Sequence, residues 1–127
     1  MKTILVDAVN CFVSEEGQIF KGMFDILENY TDKKIILTGA PYDKYKIYNL
    51  NKMPYDVFTL EHNPEKTDPE YYKIILKNFN LNKEEVIYFE HNMDAVKSAQ
   101  SVGIKTYYYD NDEKNLEDLK KFLDENV

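Results

Sequence analysis

The chain has 127 residues, a formal net charge of −7, 43% hydrophobic residues and 31% charged ones. That length carries one domain, 1–127, with one substantial core, and no apolar run approaches the roughly 18 residues of a membrane span. The acidic balance argues against a nucleic-acid partner, whose phosphates demand a basic footprint. A single cysteine excludes an internal disulfide, and the N-terminus enters a strand pattern without a leader-like segment, so the cytoplasm is the expected location.

Every basic residue is a lysine. An anion must therefore be held by Lys, backbone N–H groups or helix N-termini, because bidentate Arg clamps are absent. From the start, TILVDA (3–8) reads as a buried strand and GMFDILENY (22–30) as a helix with Met23, Ile26, Leu27 and Tyr30 on one face. KIILTG (34–39) is a second strand, YDKYKIYNL (42–50) is expected to be a helix, and YDVFTL (55–60) is a third strand. A helix follows over 68–80, with Asp68 as cap and Pro69 in its first turn. VIYF (86–89) is a fourth strand, and the helix at 93–103 stops at Gly103. IKTYYY (104–109) is a fifth strand, and 113–126 closes the chain with Leu116, Leu119, Phe122 and Leu123 on one stripe.

Strand–helix alternation with near-continuous apolar strands implies a doubly wound α/β domain, a five-stranded parallel sheet covered by helices on both faces. In such a three-layer, Rossmann-like fold the ligand crevice lies at the carboxyl ends of the strands. Those ends carry Asp7, Thr38-Gly39, Lys66, and the acids Glu90 and Asp94. Each suits phosphoryl transfer. Asp7 is a candidate nucleophile, Thr38 and Gly39 candidate phosphoryl-oxygen contacts, and Lys66 a cation for charge developing on the transferred group. Asp7, the carbonyl of Val9, Glu90 and Asp94 would form a hard oxygen cage for Mg²⁺. Asp94 reads equally well as a first-turn carboxylate facing the helix dipole. His91 reads as an exposed loop residue, and Cys11 as a small half-buried filler with no base beside it.

With these residues in place the chain resembles the haloacid dehalogenase (HAD) superfamily over nearly its whole length. ILVDAV resembles the first motif, with its nucleophilic Asp at Asp7, and KGMFDILENYTDKKIILTGA the second, with its hydroxyl at Thr38. EKTDPEYYKIIL resembles the segment that carries the third-motif lysine, here Lys66. VIYFEHNMDAVKSAQSVGIKTYYY resembles the fourth, acidic motif. The resemblance implies a Mg²⁺-dependent phosphatase acting through an aspartyl-phosphate. The stretches after Asp7 and between 38 and 66 leave no room for a cap domain. A capless member implies an open site for a phosphorylated, even macromolecular, substrate, with a partner protein or a second copy as lid.

Three positions depart from that pattern. Val9 stands where the superfamily's phosphatases place a second Asp as general acid–base, a loss that costs about 10²–10⁴ in rate. Glu90 replaces the usual Asp, and Cys11 the usual Thr. The dehalogenase branch also lacks the second Asp, but its halide arginine is missing here. A receiver domain would need a Lys after the fifth strand, where this chain has Asp110. The alternative function is a catalytically inactive HAD-fold binding or regulatory module.

Overall fold

A computed structural model of the chain describes residues 2–127. Five strands, β1 (Thr3–Asp7), β2 (Lys33–Thr38), β3 (Asp56–Thr59), β4 (Val86–Glu90) and β5 (Lys105–Tyr108), form one sheet. It is parallel throughout, in the order β3-β2-β1-β4-β5. The helices are α1 (Lys21–Leu27), α2 (Pro69–Asn78), α3 (Met93–Ser101) and α4 (Leu116–Asn126).

Side chains alternate across the sheet, so the two faces build two cores. Ile4 and Val6 of β1, Ile36 of β2 and Ile87 and Phe89 of β4 pack with Met23 and Leu27 of α1 and Leu119 and Leu123 of α4. The opposite set, Leu5, Ile35, Leu37, Val86 and Tyr88, packs with Tyr71, Tyr72 and Ile75 of α2 and Ala99 of α3. β1, β2 and β4 are apolar on both sides because both sides are covered. The expected doubly wound α/β architecture is present.

Helix boundaries follow local chemistry. Asp68 caps α2 by accepting from the Glu70 N–H at 2.9 Å, with Pro69 next in line. Asn92 caps α3 through the N–H groups of Asp94 and Ala95. Asn115 accepts from the Asp118 N–H at 3.0 Å, and α4 accordingly begins at Leu116 rather than at 113.

The expected helix over 42–50 is not formed. Short 3₁₀ turns occupy Tyr42–Lys44 and Leu50–Lys52, separated by Asn49 in the left-handed region at φ 55°. The Asn49 amide donates to the Gly17 carbonyl at 3.0 Å, which ties this segment to the β1–α1 connection. Tyr45, Tyr48 and Leu50 still reach the core. Burial of these side chains together with the distant Gly17 contact overrides the helical spacing.

The connection over 8–20 folds back on itself through bridges pairing Val9 with Val13 and Val13 with Ile19. Neither this connection nor 39–55 holds a further folded layer. Among the described residues no helix is long and apolar enough to cross a membrane.

Candidate active site

Asp7 ends β1 and Glu90 ends β4, and the two strands are neighbours in the sheet. Counting by twos from Leu5 and Tyr88 puts both carboxylates on the face covered by α2 and α3. They are 2% and 1% exposed. Two carboxylates buried side by side must be offset by cations or share a proton, and two basic side chains are supplied by the connections that lead into α2 and α3.

The first is Lys66, between β3 and α2. Its ammonium lies 2.7 Å from Asp7 Oδ1 and 2.6 Å from Glu90 Oε1, and it donates to the Leu37 carbonyl at 3.3 Å. The second is His91, directly after β4. Its backbone N–H donates to Asp7 Oδ2 at 3.1 Å, while its ring Nδ1 contacts the same oxygen. The ring also lies 3.3 Å from Glu90 Oε2. The remaining bonds to Glu90 clamp its long arm. The Tyr88 hydroxyl donates to Oε1, and the Asn92 N–H donates to Oε2 at 2.9 Å.

This packing moves each group's protonation in a definite direction. Burial raises the pKa of Asp7, the Glu90 charge adds to it, and Lys66 and His91 pull the other way. For Glu90 burial is outweighed by the charge of Lys66, which holds the carboxyl below its usual range. Burial likewise works against the Lys66 charge, but Asp7 and Glu90 together push its pKa well above that of a free lysine. Hydrogen bonds to Asp7 and then to Glu90 raise His91 to about 10. The pairing thus favours the charged forms of Glu90, Lys66 and His91, while burial and the Glu90 charge work against ionisation of Asp7.

Thr38 closes β2 on the opposite side of Asp7 and is buried. Its Oγ1 accepts from the Ala40 N–H at 3.0 Å, and its carbonyl accepts from the Tyr71 hydroxyl at 2.8 Å. A Cβ built on Gly39 would come 3.0 Å from the His62 ring, so glycine permits the close approach of that histidine. His62 pairs with Glu65 at 3.1 Å. Asp7, Thr38, Gly39, Lys66, Glu90 and His91 all line one cavity of about 280 Å³, with Val9 in its wall.

The structure thus gathers Asp7, Val9, Thr38, Gly39, Lys66 and Glu90 and leaves Asp94 apart. Asp94 is exposed in the first turn of α3, its N–H donating to the Asn92 side chain, and it does not border the cavity. Capping fixes the start of α3 in that orientation. His91 corrects the reading as an exposed loop residue: its side chain is only 26% exposed and bonds the buried acids. Its position right behind a strand-end acid was the signal available in the sequence. His62, also lining the cavity, had none. Cys11 is 6% exposed and belongs to the apolar core, where burial pushes the thiol pKa up.

The donor set suits a divalent cation. Asp7, Glu90 and His91 each offer a ligand atom, all within 4.8 Å of one another. The carboxylate oxygens suit a hard ion such as Mg²⁺ at the level of ligand type.

No protein-family model matches the chain, and no curated protein matches it. Solved structures do. A HAD family enzyme from Bacteroides thetaiotaomicron, in complex with magnesium and inorganic phosphate, superposes with a TM-score of 0.66 at 13% identity over 85% of this chain and 93% of that one. The core domain of a candidate phosphoglycolate phosphatase from Streptococcus pneumoniae matches with a TM-score of 0.66 at 15% identity, over 98% and 96%. The UTR4 protein of Saccharomyces cerevisiae matches with a TM-score of 0.55 at 18% identity, and the match covers 71% of this chain but only 46% of that longer one. The chain has the HAD-like fold.

Proposed function

We propose that this chain is a HAD-like hydrolase, a metal-assisted phosphatase working through an aspartyl-phosphate on Asp7. The observation that carries the reading is the ammonium of Lys66 bridging two buried carboxylates at 2.7 and 2.6 Å inside a cavity that Thr38 also lines. A scaffold gains little from burying that set, since apolar replacements of a buried ion pair are often as stable. A phosphoryl-transfer site needs each member.

A phosphate monoester bound against Thr38, Gly39 and Lys66 presents phosphorus to Asp7. The Asp7 oxygen forms a bond to phosphorus as the bond to the leaving oxygen breaks. Lys66 offsets charge on the transferred group, and Thr38 with the Gly39 backbone orients its oxygens. Asp7 and Glu90, with the Val9 carbonyl, would hold the divalent cation, which supplies Lewis-acid polarisation of the phosphoryl oxygens. Asp94 is outside this donor set. Water then cleaves the acyl phosphate and restores Asp7.

Val9 has no proton to give the departing oxygen, so the site favours leaving groups that depart as stable anions. A phosphorylated macromolecule fits the absence of a further folded layer over the cavity, with a partner protein or a second copy as lid. The sequence character of the chain favours the cytoplasm and neither nucleic acid nor membrane as partner.

The test is turnover of an aryl phosphate with Mg²⁺ or Mn²⁺. Wild type is expected to turn over slowly, Asp7→Asn not at all, and Val9→Asp faster by about 10²–10⁴. Activity surviving in Asp7→Asn overturns the aspartyl mechanism. Val9 also supports a second reading, an inactive binding module. No turnover in wild type with strong gain in Val9→Asp would establish it.

A further inference from the structure

Lys66 engages only one oxygen of each buried carboxylate, Asp7 Oδ1 and Glu90 Oε1. The other two oxygens, Asp7 Oδ2 and Glu90 Oε2, turn to the side occupied by the His91 ring. That side of the site therefore presents two oxygens and one imidazole nitrogen, Nδ1. Three features hold the arrangement in place. The His91 N–H is anchored on Asp7 Oδ2 at 3.1 Å. The next residue, Asn92, caps α3 and also bonds Glu90 Oε2. Tyr88, buried in the sheet, holds the other oxygen of Glu90.

We propose that Asp7 Oδ2, Glu90 Oε2 and His91 Nδ1, the last after giving up to solvent the proton it shares with Asp7, form a mixed oxygen–nitrogen site for a first-row transition dication of the Mn²⁺, Co²⁺ or Zn²⁺ class, in preference to Mg²⁺. Magnesium demands hard oxygen ligands in near-octahedral geometry and keeps several waters. The oxygen cage expected for it loses Asp94, which lies outside the cavity. The group that takes the vacant side is an imidazole, a good donor to transition metals and a poor one to Mg²⁺. The longer arm of Glu90 belongs to the same design: from the end of β4 it reaches both Lys66 on one side and the His91 side on the other.

This inference rests on the divalent-cation part of the reading above and not on the aspartyl-phosphate step. The full chain is titrated calorimetrically with Mg²⁺, Mn²⁺ and Co²⁺, and the Mn²⁺-loaded protein is examined by pulsed EPR for nitrogen coupling. Wild type, His91→Asn and His62→Asn are compared, with circular dichroism to confirm folding. Because any oxygen site binds Co²⁺ somewhat more tightly than Mg²⁺, the ratio of the two affinities is the readout. His91→Asn is expected to lower Co²⁺ affinity about 10–100-fold, to leave Mg²⁺ affinity nearly unchanged, and to abolish the nitrogen signal. The signal persists in His62→Asn, which replaces the only other histidine. An unchanged Co²⁺/Mg²⁺ ratio in His91→Asn, no nitrogen coupling in loaded wild type, or no metal binding at all overturns the proposal. Nitrogen coupling in a protein that turns over no aryl phosphate overturns the phosphatase reading alone.

Discussion

The two faces of the sheet bury side chains of different character. The face under α1 and α4 is mainly aliphatic and phenylalanyl, and its one deeply buried tyrosine, Tyr109, has a hydroxyl with no hydrogen-bond partner among the described residues. The face under α2 and α3 carries Tyr71, Tyr72 and Tyr88, and two of these hydroxyls reach the site, one bonding the Thr38 carbonyl and one Glu90. Asp7 and Glu90 lie on this second face, and Lys66 and His91 arrive from the connections into its two helices. One face supplies cohesion by apolar burial. The other supplies cohesion and, through its polar tips, sets where the charged groups stand.

That contrast predicts how each face breaks. The largest effect is expected for Lys66→Met, which leaves two carboxylates buried together. Urea unfolding without metal should show a loss of about 3–5 kcal/mol, and added divalent cation should restore part of it. On the other face Leu119→Ala, at a fully buried position, should cost about 2–5 kcal/mol through the cavity it leaves. Its metal affinity should match wild type, and a matching loss of affinity would show that the faces are not separable.

Two substitutions of the same chemistry sharpen the comparison. Tyr71→Phe removes a 2.8 Å bond to the Thr38 carbonyl and should destabilise by about 1 kcal/mol. Tyr109→Phe removes a hydroxyl with no partner and should be neutral or slightly stabilising in the same assay. Equal losses would sink the distinction between the two sets of tyrosines.

The smallest effect is the pH dependence of the metal-free chain. His91 is raised from 6.5 to about 10 by its bonds to Asp7 and Glu90. A group raised on folding stabilises fully below its unfolded pKa and loses that contribution as pH rises through the folded one. The melting temperature of wild type should therefore exceed that of His91→Asn by a few degrees near pH 6, with the gap closing toward pH 10. A gap that widens with pH would contradict the pairing.

Much of the fold was legible because strands and helices are written in local periodicity. The runs at 3–8, 34–39 and 86–89 alternate toward two covered faces, and Asp68 caps its helix by a bond spanning two residues. The stretch 42–50 was not legible, since what interrupts it is a bond from Asn49 to Gly17, 32 residues away. The strand-end acids were legible by position alone. The role of His91 was not: its partner Asp7 lies 84 residues earlier, and the two meet only because β1 and β4 are adjacent.

By itself the amino-acid order determined the succession of elements, the strand ends that carry Asp7, Thr38, Lys66 and Glu90, and the absence of a carboxylate at Val9, all of which are local properties of a polymer with two periodicities. Only the tertiary structure decided which oxygen of each acid faces Lys66, that Asp94 turns away and that His91 turns in. Those choices depend on parallel pairing of β1 with β4 and on the caps of α2 and α3, contacts made between segments far apart in the chain.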